Sequence, residues 1–170
     1  MAYGDKPFGM RQLMTYDTAG ANAVALPAGM VLRFAERLAS AEFFAEGILV
    51  AERSYVVAVD WELEAGGISL AAWARLTGRT ATESGTTPNR IMTLTASAGD
   101  EFPYFRVYGR SIGDAGDDLR CQILNAKVTS IEGTLRDGQY LVSSCAGVGV
   151  QNASGQVYQV VQRETAAVLS

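Results

Sequence analysis

The sequence predicts a mainly β protein, a β-sandwich or barrel with one long hairpin and one flanking α-helix. Three features predict it. The first is alternation: Tyr55, Val57, Val59, Trp61 and Leu63 fall on one face of a long strand. Ser54, Ala58, Asp60, Glu62 and Glu64 fall on the other, because strand side chains alternate with period two. The second is punctuation: the second half of the chain divides into apolar runs separated by Gly, Asp and Asn turns at the spacing of a sandwich or barrel. The third is a single helical stripe, Leu70, Trp73, Ala74 and Thr77. Ser69 stands as its N-cap and Gly78 as its left-handed C′ residue.

Taken in order, Phe8 to Thr15 reads as a first short strand and Asp17 to Ala25 as a polar loop. Pro27, Ala28 and Gly29 mark a turn. Met30 to Leu38 alternates like a strand, although helix propensity in Ala39 to Glu46 supports a second reading. Pairing of Met30–Leu38 with Ile48–Asp60 makes a projecting hairpin with Phe43 and Phe44 at its tip. The glycines Gly66 and Gly67 end the long strand. Arg79 to Asn89 has the composition of an exposed loop. Further strands are expected at Ile91–Ser97, Tyr104–Ile112, Leu119–Ile131, Gln139–Val150 and Gln156–Val161. Trp61, Trp73, Tyr104 and Phe105 read as core.

At 170 residues the chain is long enough for one domain with a substantial core, spanning 1–170, with 1–7 and 162–170 as terminal arms. Its 48% hydrophobic and 19% charged residues exclude a disordered chain. A net charge of -4 argues against a general nucleic-acid binder that neutralises phosphates. No run approaches the ~20 apolar residues of a membrane span, and the N-terminal residues lack a signal-peptide run. No membrane insertion is expected, and synthesis in the cytoplasm is. Cys121 and Cys145 lie in separate strand candidates and read as reduced core residues.

Candidate chemistry is sparse, so an enzyme is not expected. The chain contains no histidine, which removes Ser-His and Cys-His pairs and most zinc sites. Gly147-x-Gly149 lacks the third glycine and the strand-to-helix context of a dinucleotide site. Asp114, Asp117 and Asp118 could hold calcium but depart from the EF-hand spacing, and a plain turn explains them. Asp60, Glu62 and Glu64 could supply paired carboxylates for glycoside chemistry, against the simpler reading of a solvated strand face. No catalytic residue, metal site or cofactor is assigned.

Four segments in order then resemble the major tail tube proteins of long, flexible-tailed bacteriophages and related phage-derived particles. They are FGMRQLMTY; the long hairpin running into GISLAAWARLTG; FPYFRVYGRSIGDAGDDLRCQILNAKVTSIEG; and GQYLVSSCAGVGVQ with its closing strand. The resemblance implies a sandwich that assembles as hexameric rings stacked into a hollow tube, a virion component made in the host cytoplasm. It implies about four strands per subunit in a continuous inner barrel that conducts double-stranded DNA as non-specific cargo. Twenty-four strands about 4.8 Å apart give a bore of roughly 37 Å. A tape-measure protein in the lumen and terminator and baseplate proteins at the ends are the implied partners.

The resemblance places Glu52, Asp60, Glu62 and Glu64 on the lumen wall, where carboxylates repel phosphates. The same carboxylates could instead pair with Arg33, Arg37 or Arg53 between subunits. Phe43 and Phe44 are expected to dock onto a neighbouring subunit, with a satellite core as the other reading. Two alternatives of other kinds remain: a tube protein of the type VI secretion kind, and a monomeric β-sandwich binding module or carbohydrate enzyme.

Overall fold

Alternating apolar residues and frequent turn signals make strands of most of the chain. The computed structural model describes residues 7–26, 28–46, 48–67, 70–113, 116–137 and 142–169. Its elements are β1 (Pro7–Tyr16), β2 (Val24–Ala25), β3 (Gly29–Ala45), β4 (Ile48–Gly66), α1 (Leu70–Thr77), β5 (Ala81–Ser84), β6 (Ile91–Leu94), β7 (Phe105–Gly113), β8 (Asp118–Thr134), β9 (Val142–Gly149) and β10 (Tyr158–Arg163). The protein is mainly β with one helix, as the sequence predicts. The expected N-cap Ser69, the glycine Gly47, Pro27, Asp114, Gly138 and residues 139–141 lie outside the described residues, as do residues 1–6.

The main sheet runs β2-β1-β7-β8-β9-β4-β3, antiparallel throughout. The long strand β8 is its spine. β7 lies along one edge of β8, while β10 (against Asp118–Ile123) and β9 (against Ala126–Thr134) share the other. The sheet curls until β3 crosses β1 and β7: a Cβ on Gly29 would meet Leu13, and one on Gly109 would meet Leu32 at 2.7 Å. Two layers result. Leu13, Val59, Trp61, Leu63, Phe105, Val107, Ile123, Ala126, Val128 and Cys145 fill the space between them. Trp61 meets Phe105 edge-on, ring centroids 5.9 Å apart. Each fully buried Leu, Ile, Val or Phe side chain contributes about 1.5–3 kcal/mol relative to exposure.

The helix closes one end of the sandwich, on a face turned from the expected one. Ala72, Leu76 and Thr77 are buried, whereas Leu70 and Ala74 are only half-buried. Close approach to the sheet accompanies the turn: a Cβ on Gly133 would sit 3.3 Å from the Trp73 ring, and Ala72 and Leu76 are buried beside it. Gly78 takes the expected left-handed conformation, φ 73°.

Four expectations need correcting. Arg79–Asn89 is not a plain loop: β5 forms within it and pairs with β6 as a separate two-stranded sheet. Residues from Ile91 therefore do not join the main sheet, and Ile91 and Met92 stay exposed because, among the described residues, none covers that face of the hairpin. Tyr104 is exposed at the mouth of β7, its ring beneath the Lys127 ammonium at 5.3 Å. The strand expected to run into the hairpin tip does form, since Ala39 to Ala45 all pair with β4, and the helical alternative for Ala39–Glu46 does not. The C-terminal residues are not a loose arm: Gln162 and Arg163 belong to β10, and Leu169 is buried.

Gly147 sits where β9 is flanked tightly by β8 and β4. A Cβ there would sit 2.1 Å from the Lys127 carbonyl oxygen and 2.4 Å from the Trp61 ring. Backbone cannot yield like a flexible side chain, so Gly147→Ala is expected to destabilise the fold by about 1–3 kcal/mol. A lowered urea midpoint at unchanged slope is the check.

Candidate functional site

Two surfaces stand out, both built on the β3–β4 hairpin. The first is the outer face of the four adjacent strands β3, β4, β9 and β8. Register places Arg33, Ala35 and Arg37 of β3 beside Glu62, Asp60 and Ala58 of β4. These continue into Ser144, Ala146 and Val148 of β9, then Glu132, Ser130 and Lys127 of β8. Strand alternation turns the partner residues Trp61, Leu63 and Cys145 into the core and leaves this set, apart from the buried Ala58, facing water. Most of its side chains are small.

Asp60, Glu62 and Glu64 stand together on this face, as the alternation predicts. Asp60 accepts two hydrogen bonds from Arg37, Nη2–Oδ1 at 2.5 Å and Nε–Oδ2 at 3.2 Å. Arg33 lies 3.3 Å from the Glu62 carboxylate. Both ion pairs form within one chain, although neither excludes contacts to another. Exposed pairs of this kind contribute about 0.2–1 kcal/mol each. Across the four strands, Asp60, Glu62, Glu64 and Glu132 face Arg33, Arg37 and Lys127, so four negative charges against three positive leave a net of -1. The face is nearly balanced, not strongly acidic.

Glu52 departs from the set. Leu38 pairs with Val56, but Arg37 pairs with Ala58, so Val57 is the extra residue of a β-bulge. Past this point the alternation of β4 is inverted. Glu52 and Ser54 face the side opposite Asp60, and Tyr55 lies on the Asp60 side, contrary to the simple period-two reading.

The second surface is the distal half of the hairpin, where β3 and β4 pair only with each other among the described residues. From Glu36 to Ala45 it extends roughly 30 Å beyond the body. At its root Phe34 packs on Tyr158, centroids 5.5 Å apart, and the Tyr158 hydroxyl donates to Glu36 at 2.5 Å. That carboxylate raises the Tyr158 pKa, holding the proton on the phenol. Beyond the root one face carries Leu38/Val56, Ser40/Ser54, Glu42/Glu52 and Phe44/Leu49 as cross-strand pairs. The other carries Ala39/Tyr55, Ala41/Arg53, Phe43/Ala51 and Ala45/Ile48.

Phe43 and Phe44 therefore point to opposite sides, 62% and 56% exposed, and neither joins a satellite core. Ile48, Leu49 and Val50 are exposed with them. A lone two-stranded ribbon is marginal in water, and an exposed apolar one favours association. Glu42 directly opposite Glu52 adds like-charge repulsion. Arg53 faces Ala41, away from both.

One charged cluster escaped the sequence reading. Asp118, with an inaccessible side chain, receives Arg110 Nε at 3.0 Å, Arg120 Nη2 at 3.0 Å and the Ala167 amide at 2.9 Å, all on Oδ2. Burial alone would raise its pKa; the hydrogen bonds from Ala167, Arg120 and Arg110 outweigh burial and lower it. Asp118 and Arg120 at i and i+2 on one strand face were the available signal. Asp117 is also buried, so neither residue belongs to an exposed turn or an open calcium loop. Among the described residues no three His, Cys, Asp or Glu side chains form a metal-binding group.

Neither thiol is poised for chemistry. Burial pushes Cys121 and Cys145 up to about 12, so both stay protonated, and they are free rather than disulfide-bonded. No described helix is long and apolar enough to cross a membrane. In comparisons with known proteins, no family model and no curated sequence matches this chain.

Proposed function

We propose that this chain is a structural subunit that polymerises as stacked hexameric rings into a hollow tube of the phage-tail kind. Double-stranded DNA passes through the tube, whose wall is the four-stranded face of β3, β4, β9 and β8. One observation carries the reading: a single hairpin runs from a solvated, small-residue sheet face into an arm whose apolar side chains the chain leaves uncovered. Such an arm suits a subunit that is complete only beside its neighbours. The family resemblance supplies the hexamer, the virion setting, and the tape-measure, terminator and baseplate partners.

A wall of this composition suits passage without grip. Its cations are tied to carboxylates at Arg33–Glu62 and Arg37–Asp60, so few free positive charges meet phosphates. A net of -1 per subunit gives about six negative charges per ring of six, a weak repulsion that salt screens within ~10 Å.

Negative-stain microscopy of the purified full chain tests the assembly: hollow tubes with a bore of roughly 37 Å are expected. A strict monomer at high concentration, without filaments, points instead to a binding module. The wall assignment has its own test. Changing Asp60, Glu62 and Glu64 together to Lys shifts the wall by six charges per subunit, from -1 to +5. Tubes carrying the change are expected to retain DNA and eject it several-fold more slowly, with the defect relieved by salt. Unchanged assembly together with unchanged ejection would remove these residues from the lumen.

A further inference from the structure

The outer face of β1, β7 and β8 is built as a peptide groove, and the peptide in it is the chain's own C-terminus. After β10 the chain turns over the sheet, its Ala166 amide donating to the Gly116 carbonyl at 2.9 Å. Both main-chain polar groups of Ala167 are then held by side chains. Its N–H donates to Asp118, and its carbonyl accepts from Arg120. Two residues on, Leu169 is held in the same reciprocal way by one glutamine. Its N–H donates to Gln12 Oε1 at 2.9 Å, and its carbonyl accepts from Gln12 Nε2 at 3.0 Å.

Side chains here do what a neighbouring strand would do: they satisfy alternate residues of an extended segment at the strand period. Val168, between them, points to solvent at 72% exposure. Leu169 is 5% exposed and packs with Met14, Tyr16 and Tyr108. The groove therefore holds the main chain at Ala167 and takes a leucine side chain two positions later. Glu164 and Thr165, which link β10 to this segment, are exposed.

We propose that the groove exchanges its own tail for the C-terminal segment of a second copy of this chain, so that copies are tied tail-to-groove. The occupant follows from complementarity. Segment 166–169 is the peptide that fits the groove's two clamps and its leucine pocket, and every further copy carries it. The clamps hold main-chain groups, so they hold the same segment equally well whichever copy supplies it. The proposal does not depend on the tube reading, since any assembly that brings copies together raises the local concentration of tails.

Two full-length variants test it. One carries Met14→Cys in the pocket and the other Leu169→Cys on the tail. Of the native thiols Cys145 is buried and Cys121 half-buried, burial holds the proton on both, and the unmodified chain oxidised alone is the control. Mixed, assembled and oxidised, the pair is expected to give a covalent dimer containing one of each. Disulfide-free chains after oxidation of the mixture would overturn the proposal.

A peptide measurement guards against a pocket disturbed by the cysteines. A fluorescent ETAAVLS peptide is added to the full chain carrying Leu169→Asp, whose own anchor cannot seat. It is expected to bind at least tenfold more tightly than to the wild-type chain, whose groove is filled. Adding Gln12→Ala should weaken that binding about tenfold. Equal binding to both chains that Gln12→Ala leaves unchanged would place the peptide outside the groove, and no binding to either would show that the segment belongs to its own chain alone; each result overturns the proposal.

Discussion

Asp118→Ala is expected to destabilise the protein by about 3–5 kcal/mol, the cost of removing one partner from a buried ion pair. Arg110 and Arg120, 8% and 6% exposed, would be left facing each other across β7 and β8 without a counter-charge. The Ala167 amide would lose its acceptor in the same stroke. Asp118→Asn, which preserves shape but not charge, should fall between the variant and the parent. Urea unfolding monitored by circular dichroism gives the measurement. A loss below 1 kcal/mol would mean that water reaches both guanidinium groups.

The pH dependence of the same site has a definite sign. The folded Asp118 pKa lies below its ordinary value, so its carboxylate stabilises the fold above the ordinary carboxylate range. That contribution is lost as pH falls through the lowered folded value. Asp118→Asn should therefore shrink the stability difference between pH 7 and pH 3 relative to the parent chain. An unchanged pH profile would show that other carboxylates govern acid unfolding.

Changing Phe43 and Phe44 together to Asp is expected to abolish polymerisation while leaving the subunit folded. Their side chains contribute little to the body, so the change in stability should stay within about 0.5 kcal/mol. Assembly, by contrast, would have to bury two new charges on opposite faces of the arm. Light scattering should register no filaments where the parent chain forms them, with an unchanged circular dichroism spectrum. Tubes of normal length from the variant would show that the arm does not dock through its tip. Single changes at Phe43 and Phe44 would then separate the two faces.

The sequence made the body of this fold legible wherever alternation ran unbroken. Val59, Trp61 and Leu63 face the core and Asp60, Glu62 and Glu64 face water because nothing interrupts the period between them. Legibility failed at Val57, because a bulge is set by strand pairing and leaves no local mark in composition. It failed at α1 for a related reason: the distance to Gly133, not the order of apolar residues, selects the buried helix face. The 81–94 hairpin was hidden by polar composition, since its strands bury little. Asp118 looked like one more turn residue in an Asp-Gly run. Only the fold brings Arg110, Arg120 and the C-terminal residues around it.

The extra residue at Val57 also fixes the phase of the arm relative to the wall. Because one residue inverts a strand's faces, the hairpin behaves as two rulers joined with a half-period offset. Lengthening β4 and β3 together by two residues beyond the bulge would extend the reach by about 7 Å and keep every face as it is. Lengthening both strands by a single residue at that point would leave the body intact, yet turn Glu52 and Phe44 to the face where Arg53 and Phe43 now stand. The reach of the arm and the side each residue presents are thus adjustable separately, one by even steps and the other by odd.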